Sequence, residues 1–451
     1  MNIIIAGCGG VGCTLAEQLT AEGHEITVID SNSKNLQTVI SQLDVMGIQG
    51  NSTSYVTQIE AGINKADLLI AVTDNDEVNM LTCLIAKKAG NCQTIARVRS
   101  PQYFTEIDYI RDELGLSMAI NPEFAAAQEV SRLIQIPSAL EVDTFAKGRV
   151  NLIKIEIPEG SVLNQLMLAD FSKEIGPDAL VCIVEREKEV FIPGGGFVLQ
   201  AGDRIYVTMQ ISAVNGFLNK IGIKAKPIRK VMIAGGGTFG YYLGRILTEA
   251  RMQVKIVEQN EARCMELNEL IPKAMIINGN ATDKQLMLEE DIETTDAVIA
   301  VTNLDEENLL LALYANKVSD AKIITRINRL SFEDVLGDIP IGSTVTPKDI
   351  TAEYIIRYVR SMQNSYGSNV ETLYRMVDNQ VEALEFNVDP DAKVTKAAIG
   401  ELKIKKNTLI CSISRNKKVI RPTGRDSILP GDSVIVVTTN RGLNGIDEIL
   451  S

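Results

Sequence analysis

The 451-residue sequence predicts an α/β protein: two doubly wound parallel-sheet domains, each followed by a small α+β domain. Three observations lead there. An apolar run, Ile3-Ile4-Ile5-Ala6, opens into Gly7-Cys8-Gly9-Gly10-Val11-Gly12 and a helical pattern, which is the strand, glycine turn and helix of a dinucleotide-binding βαβ unit. The same unit returns as Val231-Met232-Ile233-Ala234 before Gly235-Gly236-Gly237-Thr238-Phe239-Gly240. After each copy the pattern changes to short alternating strands that end on a Gly-Asp turn and a closing strand, at Gly202-Asp203 and Gly431-Asp432.

Each part of the opening unit has its own physical task. Gly7 allows the tight turn, Gly9 lets backbone N–H groups approach a pyrophosphate, and Gly12 lets helix and strand pack closely. The helix N-terminus turns its partial positive charge toward the anion. A second apolar run, Ile26-Thr27-Val28-Ile29, ends on Asp30, eighteen positions after Gly12, where a carboxylate accepts hydrogen bonds from an adenosine ribose. A negative charge there also repels the 2′-phosphate of NADP.

The second copy keeps the spacing: Gly235 follows Gly7, and Glu258 follows Asp30, by the same 228 positions. Gly50-Asn51-Ser52-Thr53 then answers Gly279-Asn280-Ala281-Thr282, and Asp67 to Thr73 answers Asp296 to Thr302, both at an offset of 229. Ile95-Ala96-Arg97-Val98 matches Ile324-Thr325-Arg326-Ile327, so each copy reads as alternating strands and helices with right-handed crossovers. Asn121-Pro122-Glu123 and Thr346-Pro347-Lys348 each read as an N-cap followed by Pro at the first helical position. The division is 1–136 and 227–362 for the nucleotide-binding copies and 137–226 and 363–451 for the small domains, with a linker from Lys220 to Lys230.

Composition excludes several classes. A net charge of −13 with no basic run argues against a nucleic-acid surface. No apolar stretch reaches the roughly 18 residues of a spanning helix, so the expectation is a cytoplasmic protein without a transmembrane segment of its own. Seven scattered cysteines without a C-x-x-C pair suit free, buried thiols, and no metal site is expected. The single histidine, His24, reads as a turn residue before the second strand.

This tandem resembles the RCK (also called KTN) regulatory domains of potassium channels and transporters, and two such pairs in one polypeptide are similar to the peripheral subunits of Trk-type potassium-uptake systems. The resemblance implies Rossmann-like domains with RCK C-terminal-type partners, and a homo-oligomeric four-chain ring held at the inner face of the membrane by a potassium-translocating subunit. It also implies that nucleotide binding changes the ring's shape. Carried over residue by residue, the first crevice takes Gly7, Cys8, Gly9, Gly10, Val11, Gly12, Asp30, Asn51, Ser52, Thr53 and Arg97, and the second takes Gly235, Gly237, Thr238, Phe239, Gly240, Glu258 and Asn280. Thr73, Asp74 and Thr302 join them from their place at the carboxyl edge of the fourth strand, where ligands of such sheets bind. NAD(H), ATP and ADP all offer an adenosine ribose and phosphates to such a crevice.

Some positions keep two readings. Arg97 and Arg326 reach either phosphate or a neighbouring subunit, or else form surface salt bridges. Thr73-x-x-Asp76 and Thr302-x-x-Asp305 read first as weak capping boxes, with ligand contact in addition. The stripe Ile350, Tyr354, Ile355, Tyr358, Val359 faces either a partner domain or its own core. The alternative function, an NAD-dependent oxidoreductase, needs a positioned acid or base beside the nicotinamide, and the sequence offers no catalytic residue for that role.

Overall fold

A computed structural model describes residues 1–135, 140–145, 150–176, 179–187, 189–209, 211–223, 227–328, 339–364, 370–377, 380–416 and 418–451. The first Rossmann-like copy comprises β1 (Asn2–Ala6), α1 (Gly10–Ala21), β2 (Glu25–Asp30), α2 (Ser33–Gln42), β3 (Met46–Gln49), α3 (Tyr55–Glu60), β4 (Leu68–Ala71), α4 (Asp76–Gly90), β5 (Gln93–Arg97), α5 (Pro101–Ile110), β6 (Met118–Ile120) and α6 (Pro122–Gln135). Its sheet is parallel throughout, in the order β3-β2-β1-β4-β5-β6. Ile3, Ile4 and Ile5 of β1 and Leu68, Leu69 and Ile70 of β4 are all buried, as strands covered by helices on both faces must be. The order reverses direction between β1 and β4, and a crevice opens at their carboxyl ends.

The first small domain follows with β7 (Glu141–Phe145), β8 (Val150–Glu156), α7 (Phe171–Glu174), β9 (Leu180–Arg186), β10 (Glu189–Phe191), β11 (Arg204–Met209) and α8 (Ile211–Lys220). These strands form an antiparallel sheet in the order β10-β9-β11-β8-β7. Of the expected linker, residues 224–226 lie outside the described residues, as does the expected junction at 136–137.

The second copy repeats the plan with β12 (Lys230–Ala234), α9 (Thr238–Glu249), β13 (Gln253–Glu258), α10 (Glu261–Leu270), β14 (Met275–Asn278), α11 (Lys284–Glu289), β15 (Ala297–Ala300), α12 (Asp305–Val318), β16 (Lys322–Arg326), β17 (Ser343–Val345) and a long helix, Pro347–Asn364. Its strand order, β14-β13-β12-β15-β16-β17, is that of the first copy. The second small sheet, from β18 (Val370–Met376), β19 (Val381–Asn387), β20 (Thr408–Arg415), β21 (Lys418–Ile420) and β22 (Ser433–Thr438), runs β18-β19-β22-β20-β21 and matches the first strand for strand. The short strands β6 and β17 escape sequence patterning, because three residues are too few to show a period.

Like associates with like. Residues 1–131 and 228–356 form one compact unit, and 132–227 and 357–451 another. In the first unit the two Rossmann-like copies meet where Asn121 Nδ2 donates to the Tyr242 hydroxyl at 3.0 Å, with the Phe124 and Tyr242 rings edge to face at 5.2 Å. Ile355 and Val359 of the last helix are fully buried, whereas Ile350, Tyr354 and Tyr358 are half-buried.

In the second unit the two small sheets share one core, with Phe145 and Tyr374 edge to face at 4.8 Å and Cys182 and Cys411 packed in the same cluster. Each Gly-Asp turn is locked by its carboxylate. Asp203, 1% exposed, receives Arg186 Nε and Nη2 at 2.6 and 2.7 Å and the Gln200 N–H at 2.8 Å. Asp432 receives Arg415 Nε and Nη2 at 2.8 and 2.7 Å and the Leu429 N–H at 2.8 Å. These fork-shaped bonds hold both guanidinium groups above their ordinary pKa range.

Replacing Asp203 or Asp432 with Ala strands an arginine fork and a turn N–H, and is expected to cost about 2 kcal/mol each. Urea unfolding midpoints measure this. A loss below about 0.5 kcal/mol in both variants would show that the turns do not depend on the carboxylates.

Candidate nucleotide-binding crevices

The glycine turns build both crevices by steric necessity. Gly7 and Gly235 lie in the left-handed region, at φ of +106° and +113°, and a β-carbon on either would press against the backbone leaving the adjacent strand at Thr73 or Val301. A β-carbon on Gly12 would sit 1.8 Å from the Gly7 carbonyl oxygen, and one on Gly240 would sit 2.0 Å from that of Gly235. Glycine is therefore the residue that lets α1 and α9 approach their strands. At Gly9 and Gly237 a β-carbon would meet nothing within 4 Å, so these two leave open the face through which a ligand approaches.

Neither α1 nor α9 has a side-chain cap; glycine occupies the N-cap of each. By contrast α2, α4, α10 and α11 are capped by Asn32, Asn75, Asn260 and Asp283. The first N–H groups of α1 and α9 are thus left for an anion, with no acidic residue in the first turn of either helix to oppose one.

The acids at the ends of β2 and β13 hold the turns. Asp30 accepts the Cys8 N–H at 2.6 Å and the Asn32 N–H at 2.7 Å, and Glu258 accepts those of Gly236 and Asn260, both at 2.8 Å. Each carboxylate oxygen keeps a lone pair for a ribose hydroxyl. The copies trade size across this contact: a β-carbon on Gly236 would lie 2.9 Å from Glu258 Cβ, so the longer acid goes with the smaller turn residue. Cys8 offers its backbone to Asp30, while its buried thiol is pushed up to about 12 by desolvation and by the nearby Asp30 charge.

At the β4 edge the expected capping boxes do not form. The N-cap of α4 is Asn75, whose side chain accepts the Val78 N–H at 2.7 Å, and the N-cap of α12 is Leu304, without a side-chain bond. Asp76 instead accepts the N–H groups of Arg99 and Ser100, and Asp305 accepts that of Asn328, because these carboxylates face the loop after the next strand. Thr73 is held by Asn79, whose Oδ1 takes the Thr73 N–H and hydroxyl at 2.8 and 2.6 Å and whose Nδ2 donates to the carbonyls of Thr73 and Arg97. Asn308 does the same for Thr302 and Arg326. Both asparagines are fully buried.

The second crevice encloses a cavity of about 320 Å³, within the range of ligand pockets of about 300–1,000 Å³. Gly235, Gly237, Thr238, Phe239, Glu258, Asn280, Thr302 and Arg326 line it, and Arg99 and Glu123 of the first copy complete its rim. Gly240 lies behind, against the Gly235 carbonyl. Burial works against the Arg99 charge, yet Glu123, 2.6 Å from Arg99 Nη2, holds the guanidinium above its ordinary range.

The repeated crevices and the paired small domains have counterparts in known proteins. The TrkA-N domain family matches residues 3–122 and 231–347, and the TrkA-C domain family matches 152–222 and 383–451. Over 450 residues, the full length of both, the sequence is 32% identical to the Trk system potassium uptake protein TrkA homolog of Archaeoglobus fulgidus. The chain belongs to the TrkA family. It is also 31% identical over 445 residues to the Trk system potassium uptake protein TrkA of Vibrio alginolyticus, covering 98% of this chain and 96% of that one. Among solved structures, the GsuK RCK domain superposes with a TM-score of 0.62 at 16% identity over 97% of this chain and 92% of that one. The GsuK channel bound to NAD has the same TM-score and identity, over 97% and 77%. At that identity the likeness is one of fold.

Within this TrkA-family chain, the expected site residues separate by role. Gly9 and Gly10 are exposed at the first glycine turn and Asp30 is half-buried beside it, while Val11 is buried in α1. Asn51 Oδ1 closes its own loop by accepting the Thr53 N–H and hydroxyl at 3.0 and 2.8 Å, as Asn280 does with Thr282. The Ser52 hydroxyl is buried against that of Thr82 at 2.9 Å. Arg97 is buried, bonds the Thr73 carbonyl at 2.5 Å, and forms the expected salt bridge, with the exposed Asp74 at 3.3 Å. Desolvation holds Arg97 and Arg326 below the ordinary arginine range. Asn79 and Asn308 went unread in the sequence, although Thr-x5-Asn recurs at the common offset of 229 and was the signal available.

Gly12→Ala and Gly240→Ala are expected to cost more than about 2 kcal/mol, since a methyl has no room against a backbone carbonyl. Gly9→Ala is expected to change stability by less than about 0.5 kcal/mol while weakening ligand binding. Thermal unfolding of the three variants separates the roles, and equal destabilisation at Gly9 and Gly12 would contradict them.

Proposed function

We propose that this chain is the nucleotide-sensing regulatory subunit of a Trk-type potassium uptake system, and that it binds and releases nucleotide without chemical turnover. Its full-length likeness to Trk system potassium uptake proteins carries this reading. The four-part division at 1–136, 137–226, 227–362 and 363–451 then gives two sensor domains and two small assembly domains per chain. The ligand is NAD(H), with ADP and ATP using the same ribose and pyrophosphate positions; GsuK, of the same fold, is known bound to NAD and to ADP. The open faces at Gly9 and Gly237 suit a pyrophosphate, and Asp30 and Glu258 suit a ribose.

Among the described residues no helix is long and apolar enough to cross a membrane. Its likeness to Trk system potassium uptake proteins supports a place at the cytoplasmic face, through a potassium-translocating membrane subunit, as a homo-oligomeric ring of four chains. Nucleotide biases the pore only by binding one ring shape better than another, so the coupling is reciprocal. The dehydrogenase alternative gains no support: His24 lies before β2, at the sheet edge away from the crevice, with its Nδ1 3.4 Å from the Met1 amino group.

Calorimetry of the purified chain is expected to show NADH, ADP and ATP bound and NADP bound more weakly. Asp30→Ala is expected to lose about 1–3 kcal/mol of affinity, the range for charge-assisted hydrogen bonds. In liposomes containing the membrane subunit, potassium flux should respond to nucleotide with the wild-type chain and lose that response with Asp30→Ala/Glu258→Ala. An identical flux response in both would rule out sensing through these crevices.

A further inference from the structure

The two crevices differ in what the opposite copy lends them. Glu123 and Lys348 occupy the same place, directly after the proline that starts α6 or the helix Pro347–Asn364. At the second crevice the first copy supplies Glu123 together with Arg99, a neutral pair in which Arg99 Nε and Nη2 both bond Glu123 Oε1, at 2.8 and 2.6 Å. At the first crevice the position of Arg99 is taken by uncharged Asn328, whose N–H and Nδ2 are engaged by Asp305. Among the described residues Lys348 forms no ion pair. Its stem crosses the N-terminus of α1: Lys348 Cδ lies 3.9 Å from the point where a β-carbon on Gly10 would be. Its charge also reaches Cys13 one turn further on, where it works against the rise in the thiol pKa that burial, Asp30 and Glu17 cause. Lys348 is half-buried, and its contact at Gly10 sets its side chain beside the uncapped N–H groups of α1, so that two positive groups adjoin where an anion would relieve both.

We propose that Lys348, from the second copy, is a phosphate-binding residue of the first crevice, clamping the pyrophosphate unit of a dinucleotide or nucleoside diphosphate from the side opposite the glycine turn. The inference rests on the nucleotide reading above and adds a specificity determinant that the glycine fingerprint does not contain. From the opposite copy the first crevice thus gains a cation for phosphate chains, where the second gains a neutral pair. Binding in the first crevice also draws the start of the second copy's last helix toward α1, so one ligand bridges both Rossmann-like copies.

The test isolates the first crevice with Gly237→Phe, which fills the second; Gly237 has extended backbone angles and open space at its β-carbon, so the ring is accommodated. In that background ADP, NADH and adenosine are titrated calorimetrically against chains carrying Lys348, Lys348→Gln or Lys348→Arg. Lys348→Gln is expected to weaken ADP and NADH by about tenfold or more, the scale of one charge-assisted phosphate contact, to flatten the salt dependence of their binding, and to leave adenosine within about twofold. Lys348→Arg should restore ADP binding. ADP held equally by the Lys348 and Lys348→Gln chains overturns the inference alone, and so does an equal loss for adenosine, which would point to a change of crevice shape. A wild-type chain that binds none of the three overturns the nucleotide reading itself.

Discussion

No side chain fits between the carbonyl of Gly7 and the α-carbon of Gly12. That exclusion, repeated at Gly235 and Gly240, sets how closely each first helix lies against its strand, and hence where its N-terminus points. The uncapped N–H groups at the crevice, the open face at Gly9 and Gly237, and the reach of Asp30 and Glu258 to the turn all follow from that approach. A looser packing would move the helix dipole off the crevice and leave its N–H groups to water.

Around this contact the protein places buried polar groups in closed sets. Asn79 and Asn308 each satisfy a threonine and two strand-end carbonyls, which ties the end of β4 to β5, and the end of β15 to β16, where a ligand edge is needed. Asp203 and Asp432 do comparable work in the small domains, each holding an arginine fork and a turn N–H. Such groups are costly when half-satisfied, so each set stands or falls together.

Duplication makes the copies alike in backbone and free to differ in side chains. Cys8 with Asp30 and Gly236 with Glu258 are two solutions to one packing problem. Arg97 and Arg326 share a strand position, but Arg97 bonds the Thr73 carbonyl whereas Arg326 lines the second cavity, its guanidinium 5.8 Å from the Phe239 ring. Equivalent crevices thereby acquire different chemistry without a change of fold.

The sequence by itself determined the fold class, the repeat, the glycine turns and the acids that follow them. These are local: a tight turn, a helix start and a strand period are written in neighbouring residues, and a second copy at a constant offset repeats the signal. Even so, local spacing misled at Thr73 and Thr302, where a serviceable capping pattern lost to a buried asparagine and to a loop on the next strand. Only the tertiary structure decided that the Rossmann-like copies form one unit and the small domains another, that Ser52 turns inward, and that Arg99 and Glu123 edge the other copy's cavity. Those outcomes depend on which apolar faces meet across more than a hundred residues of chain, as Asn121 and Tyr242 do. No periodicity or spacing encodes such a meeting, because burial is shared between distant segments and belongs to neither alone.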